Sequence, residues 1–229
     1  MDTVKSTLQA VQARIAAAAE LAGRSAQEVA LLAVSKSCSA EAVRALANAG
    51  QREFGESYVQ EAVAKIAALA DLPLIWHFIG PIQRNKTSQI AENFDWVHGV
   101  DRVIVAQRLS TARGAEQTPL NICLQVNVSG EVSKSGVAPE QLAGLVTELR
   151  SLPRLRLRGL MAIPQATEDV AAQRAQFARV RECFEQLNRQ GAGLDTLSMG
   201  MSGDLEAAVA EGATIVRVGT ALFGNRIKG

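Results

Sequence analysis

The chain has 229 residues, 48% of them hydrophobic and 21% charged, with 24 basic against 23 acidic side chains and a formal net charge of +1. A chain of this length can bury a substantial core without disulfides or a structural metal. The balanced charge and an aromatic content of 4% count against a nucleic-acid surface, which needs clustered base or a stacking platform.

Cys38, Cys123 and Cys183 form no CxxC pair, and His77 and His98 are the only histidines. Neither a disulfide framework, a zinc site nor a His-rich metal centre is expected. The opening stretch is charged throughout, and no long uncharged apolar run follows it. The expectation is a soluble, cytoplasmic protein with no membrane partner.

In chain order, Val4, Leu8, Val11, Ile15 and Leu21 fall at helical spacing, with Gly23 as a stop. VALLAVSK (29–36) is a continuous apolar run, as expected of a strand covered on both faces. AEAVRALANAG (40–50) reads as a helix, REFGE (52–56) as a weaker strand, and SYVQEAVAKIAALA (57–70) as the next helix. LIWHFIG (74–80) is strand three, with a helix over NKTSQIAEN; DWVHGV (95–100) is strand four, with a helix over DRVIVAQRLSTARG. PLNICLQVNV (119–128) is strand five, followed by a Gly- and Ser-rich loop (129–136) and a helix over 139–152 that opens on Pro139. LRLRGLMAI (155–163), the helix 168–191, LDTLSMG (194–200), the helix 204–212 and ATIVRVG (213–219) complete the alternation. Eight strand–helix units with no linker predict one (β/α)8 barrel domain spanning 1–229. An open doubly wound sheet is the alternative, but no GxGxxG follows the first strand.

A barrel places its site at the C-terminal ends of its strands. Lys36 ends strand one and is one of six lysines. An amine drawn out of bulk water there is a nucleophile able to form a Schiff base with an aldehyde or ketone. SMGMSGD and RVGTALFG bring glycines and hydroxyls together after strands seven and eight, where barrels bind phosphate. Ser202 and Thr220 offer hydroxyls, and Gly219 lets the backbone approach closely. A Schiff-base lysine beside a phosphate site suggests a phosphorylated aldehyde: pyridoxal 5′-phosphate, or a sugar phosphate in a lysine aldolase. Other features read more plainly. One of Trp76 and His77 faces the lumen, and a packed histidine is favoured over a catalytic one. Glu56 and Glu61 read as surface or cap residues. Met199 and Met201 read as packing residues. Arg154, Arg156 and Arg158 alternate as a short basic face.

The segments AVSKS, GQREFGESYVQE, WHFIGPIQRNK, SGEVSKSG, RGLMAI and LSMGMSGDLEAAVAEGATIVRVGTALFG resemble those of the YggS/PROSC family of pyridoxal-phosphate homeostasis proteins. The resemblance spans nearly the whole chain. It implies an alanine-racemase-like barrel of the fold-type III class, with pyridoxal phosphate on Lys36 and its phosphate on Ser202, Gly219 and Thr220. Arg217 stands where racemase-like barrels place the arginine facing the pyridine nitrogen; contact with the phosphate is the alternative. The sequence departs from the family at Cys38, Ser57 and Pro81, where Lys, Asn and His are usual.

The resemblance implies a carrier that buffers the cofactor and passes it to apo-enzymes, with no clear catalytic activity, and a short, self-contained barrel favours a monomer. A racemase is the competing reading. It needs a second base on the opposite face of the substrate, and the chain's only tyrosine is Tyr58.

Overall fold

The computed structural model describes residues 2–128 and 135–224; the expected loop at 129–136 lies outside them except for its last two residues. Eight parallel strands close into a barrel in sequence order, β1-β2-β3-β4-β5-β6-β7-β8, with β8 paired back to β1. In chain order the elements are α1 (Asp2–Leu21), β1 (Ala30–Val34), α2 (Ala40–Asn48), β2 (Glu53–Glu56), α3 (Val59–Ala68) and β3 (Ile75–Phe78). Next come α4 (Thr87–Asn93), β4 (Trp96–Val100), α5 (Val103–Ala112), β5 (Leu120–Gln125), α6 (Leu142–Arg150) and β6 (Leu155–Met161). Then follow α7 (Val170–Arg189), β7 (Thr196–Ser198), α8 (Leu205–Ala210), β8 (Ile215–Val218) and α9 (Thr220–Phe223). The (β/α)8 barrel expected from the alternation is the observed fold. No helix among the described residues is long and apolar enough to cross a membrane.

The apolar runs form strands because both faces are covered. One face meets the helices, where Phe54, Phe78, Phe94 and Phe177 are fully buried. Phe78 and Phe94 meet edge to face with centroids 5.3 Å apart. Each such side chain contributes about 1.5–3 kcal/mol on burial. The inward face carries Leu32, Val34, Cys123, Met161 and Ile215 together with His77, His98, Ser198 and Arg217, all buried.

The helix α1 packs against α8, α9 and α2 and takes the place of an eighth outer helix, since among the described residues only the four-residue α9 follows β8. Its buried stripe is Leu8, Val11, Ile15, Ala18 and Ala19. Leu21 was expected on that stripe but is 90% exposed: six residues beyond Ile15 is 240° around the helix, off the stripe. The helix ends through Arg24 N–H to Ala19 O, with Gly23 at φ 67° as the left-handed stop.

Two further readings need correction. Glu56 is not a surface residue; its side chain is fully buried between β2 and α3. The three arginines of strand six do not form one solvated face. Leu155 and Leu157 pack outward, while Arg158 turns onto the Trp96 ring, 4.7 Å from its centroid, and pairs with Asp195 at 2.9 Å.

Candidate functional site

The strand ends deliver Lys36, Ser202, Arg217, Gly219 and Thr220 to the wall of one cavity of about 290 Å³. All five residues singled out in the sequence therefore meet. Larger clefts of about 450 and 610 Å³ lie elsewhere. Convergence of polar groups at the strand ends, rather than size, marks the smaller one.

Lys36 stands two residues beyond β1. Val34 points inward and Ser35 outward, so Lys36 turns inward again and lines the cavity, half-buried. The chain reverses at once: Cys38 N–H donates to Ser35 O at 3.0 Å, and Ser37 sits between them at φ 60°.

After the neighbouring strands β7 and β8, Ser202 and Gly203 lead into α8, and Gly219 and Thr220 lead into α9. The first amides of a helix have no intrahelical acceptor. Hydroxyls and such amides suit an anion. Asp204 is the nearby carboxylate. Burial pushes its pKa up, while its bond from Met201 N–H and the charge of Arg217 oppose that rise.

Arg217 is a fully enclosed cation on β8. It donates to Ser198 O and Ser198 Oγ at 2.5 and 2.9 Å and to Ala162 O at 2.8 Å. Burial lowers its pKa to about 10, so it keeps its charge at neutral pH. Behind it runs a buried chain across the lumen. Ser198 Oγ lies 2.8 Å from His98 Nδ1, and His98 Nε2 lies 2.9 Å from His77 Nδ1. Burial holds both imidazoles neutral, His77 at about 3 and His98 well below the ordinary value. Of the Trp76–His77 pair, His77 is the lumen residue; Trp76 packs outward on Phe54.

The network behind Lys36 was not anticipated from the sequence. Lys65 Nζ lies 2.6 Å from both Glu56 Oε1 and Glu61 Oε1 and donates to Ser35 O at 2.7 Å. Burial raises the Glu56 carboxyl, against the opposing pull of Lys65 and Ser35. One signal was present: Lys65 shares the helical phase of the buried Ala62 and Leu69, so its place is on the inner face of α3.

Of the three positions where the sequence departs from the family pattern, Ser57 lines the cavity, whereas Cys38 lies on the Lys36 turn and Pro81 is not among the lining residues. Met199 is buried in the core, and Met201 is half-exposed at the cavity rim.

The family model described as the alanine racemase N-terminal domain matches residues 6–226. A pyridoxal phosphate homeostasis protein of Pseudomonas aeruginosa is 62% identical over 226 residues, covering 99% of this chain and 97% of that one. The protein of the same name from Escherichia coli K12 is 48% identical over 229 residues, covering 99% and 98%. The structure of PipY from Synechococcus elongatus, solved with pyridoxal phosphate bound, superposes with a TM-score of 0.80 at 44% identity, covering 86% of this chain and 93% of PipY. A match of this extent, on a barrel whose strand ends gather an amine, a buried cation, hydroxyls and helix amides, places this chain in the alanine racemase N-terminal-domain family, among the pyridoxal phosphate homeostasis proteins.

Proposed function

We propose that the cavity holds pyridoxal 5′-phosphate, attached through the Lys36 amine, and that the protein stores the cofactor and passes it on to apo-enzymes. The observation that carries this reading is the meeting of a half-buried amine, an enclosed cation and a cradle of hydroxyls and helix amides around one cavity of about 290 Å³. That volume is near the lower bound for small-ligand pockets, roughly 300–1,000 Å³. The donors fit the group: Ser202, Thr220 and the amides about Gly219 suit a phosphate dianion, and Arg217 offers only donors to the ring edge. When bound, the cofactor supplies an aldehyde that an amine can hold covalently and release. Ile79 and Ile163 line the same cavity and give a flat ring apolar walls.

The storage role rests on what faces Lys36. Tyr58, the chain's one tyrosine, is 57% exposed and does not line the cavity. A racemase needs a base on each face of its substrate, and among the described residues that line the cavity Lys36 is the one candidate. With a donor-only cation at the ring, the pyridine nitrogen stays unprotonated and the ring is a weak electron sink.

The test combines attachment with turnover. Protein mixed with pyridoxal phosphate gains a visible absorption band that borohydride bleaches, and Lys36→Ala loses it while staying folded. A Lys36→Ala protein that keeps the reducible band moves the attachment elsewhere. The loaded wild type racemises alanine and serine negligibly and activates an apo-enzyme dependent on the cofactor. Turnover in the ordinary enzyme range of roughly 1–1,000 per second, abolished by Lys36→Ala, establishes the racemase reading instead.

A further inference from the structure

We propose that Glu61 and Lys65 of α3 are positioning residues that hold the turn carrying Lys36, so that its amine meets the cavity already oriented. The proposal rests on the reading of Lys36 as the attachment point. Its starting observation is the backbone. Among the described residues only Ser37 and Arg154 are non-glycine residues with positive φ. Ser37 occupies the third position of the Ser35–Cys38 turn, at φ 60°. Tight turns that need a left-handed residue there normally take glycine. A serine stays in that conformation only where its surroundings hold it.

The hold comes from one helix. Ser37 N–H donates to Glu61 Oε1 at 2.6 Å, and Ser35 O accepts from Lys65 Nζ at 2.7 Å. The peptides on both sides of Lys36 are thereby tied to α3. Lys65 has three protons to give, and each has a partner: Ser35 O, Glu56 Oε1 and Glu61 Oε1. Lys65 is 5% exposed. A hydrophobic side chain of similar volume would pack that face without the desolvation cost of a charge. What the ionic cluster adds is direction. It fixes the carbonyl before Lys36 and, through Glu61, the amide after it. Ser35 Oγ donating to Glu56 Oε1 at 2.6 Å completes the tie from β1 through β2 to the helix.

Two measurements separate positioning from general support of the fold. The first is the rate at which borohydride traps pyridoxal phosphate on the Lys36 peptide, read by mass spectrometry. The second is the equilibrium binding of 4-deoxypyridoxine 5′-phosphate, which keeps the ring and phosphate but lacks the aldehyde. Lys65→Met and Glu61→Ala each slow trapping about tenfold or more, the equivalent of one lost hydrogen bond to a charged group. Both leave binding of the aldehyde-free analogue nearly unchanged. Adding Ser37→Gly to Glu61→Ala restores most of the trapping rate, because glycine takes the left-handed conformation without an anchor. Unchanged trapping in Glu61→Ala, equal losses for trapping and analogue binding, or no rescue by Ser37→Gly each overturn the proposal. If Lys65→Met does not fold, the Glu61→Ala pair decides alone. Trapping that survives in Lys36→Ala defeats the underlying reading instead.

Discussion

Thr220 is the side chain on which the proposed phosphate contact is tested most directly. Its backbone opens α9, and its side chain lies on the cavity wall beside Gly219. A hydrogen bond to a charged group contributes about 1.5–3 kcal/mol. Thr220→Val should therefore weaken pyridoxal phosphate about tenfold or more while leaving unphosphorylated pyridoxal nearly unchanged, as read by titration of each ligand. Equal losses for the two ligands would remove the phosphate from this wall. Lys36, Ser202 and Gly219 were legible because a barrel's topology sends strand ends to one face, and the end of a strand can be read from an apolar run. Glu56, Lys65 and Ser198 were not legible in their roles. Their partners lie far along the chain: Ser35 is 21 residues from Glu56 and 30 from Lys65, and Ser198 is 100 residues from His98. No local pattern links such pairs. The rule that charged residues lie outside gave the wrong side for Glu56.

Among the elements, most strands were legible as apolar runs covered on two faces, although their bounds were read long and β2, Glu53–Glu56, is no such run. Their helices were read slightly long. The 168–191 segment is helical from Val170 to Arg189 with Asp169 as its cap, and the 139–152 segment begins with a 3-10 turn at Pro139 before α6. Caps and turns share the polarity of the helix surface, so composition cannot separate them. The contact between β6 and β7 was invisible to any periodicity. A Cβ placed on Gly159 would lie 1.7 Å from Thr196 O, a backbone atom with no side-chain freedom to yield. Here β7 is three residues long and carries Ser198, which accepts from Arg217. Gly159→Ala should cost about 3 kcal/mol, the upper end of overpacking, seen as a lower urea midpoint. A midpoint equal to wild type would mean that the two strands can part without penalty.

For the whole molecule, the buried histidines govern the response to acid. His77 titrates at about 3 in the fold against 6.5 ordinarily, because burial disfavours its charged form. Between those values the unfolded chain binds a proton that the native state does not, so stability rises with pH across this window and falls on acidification. The slope reaches about 1.4 kcal/mol per pH unit for each such histidine. The carboxyls of Glu53 and Glu56, raised by burial, act in the opposite sense, so the comparison must be made within one set of carboxyls. Denaturant unfolding between pH 7 and 5 should show a steeper loss for wild type than for His77→Gln, although the variant starts less stable. Parallel slopes would mean that His77 binds its proton equally in the folded and the unfolded chain. The seam of the barrel carries a last consequence. The β1 and β8 strands meet only where chain regions 185 residues apart pair, as Ala30 does with Ile215. Lys36 stands just past one side of that seam, and Gly219 and Thr220 just past the other. On the proposed reading of the site, the two sides of the seam together act as a clasp for the small molecule. A chain whose final strand has not yet docked would have half of that clasp, so binding of the cofactor would report that the barrel has closed.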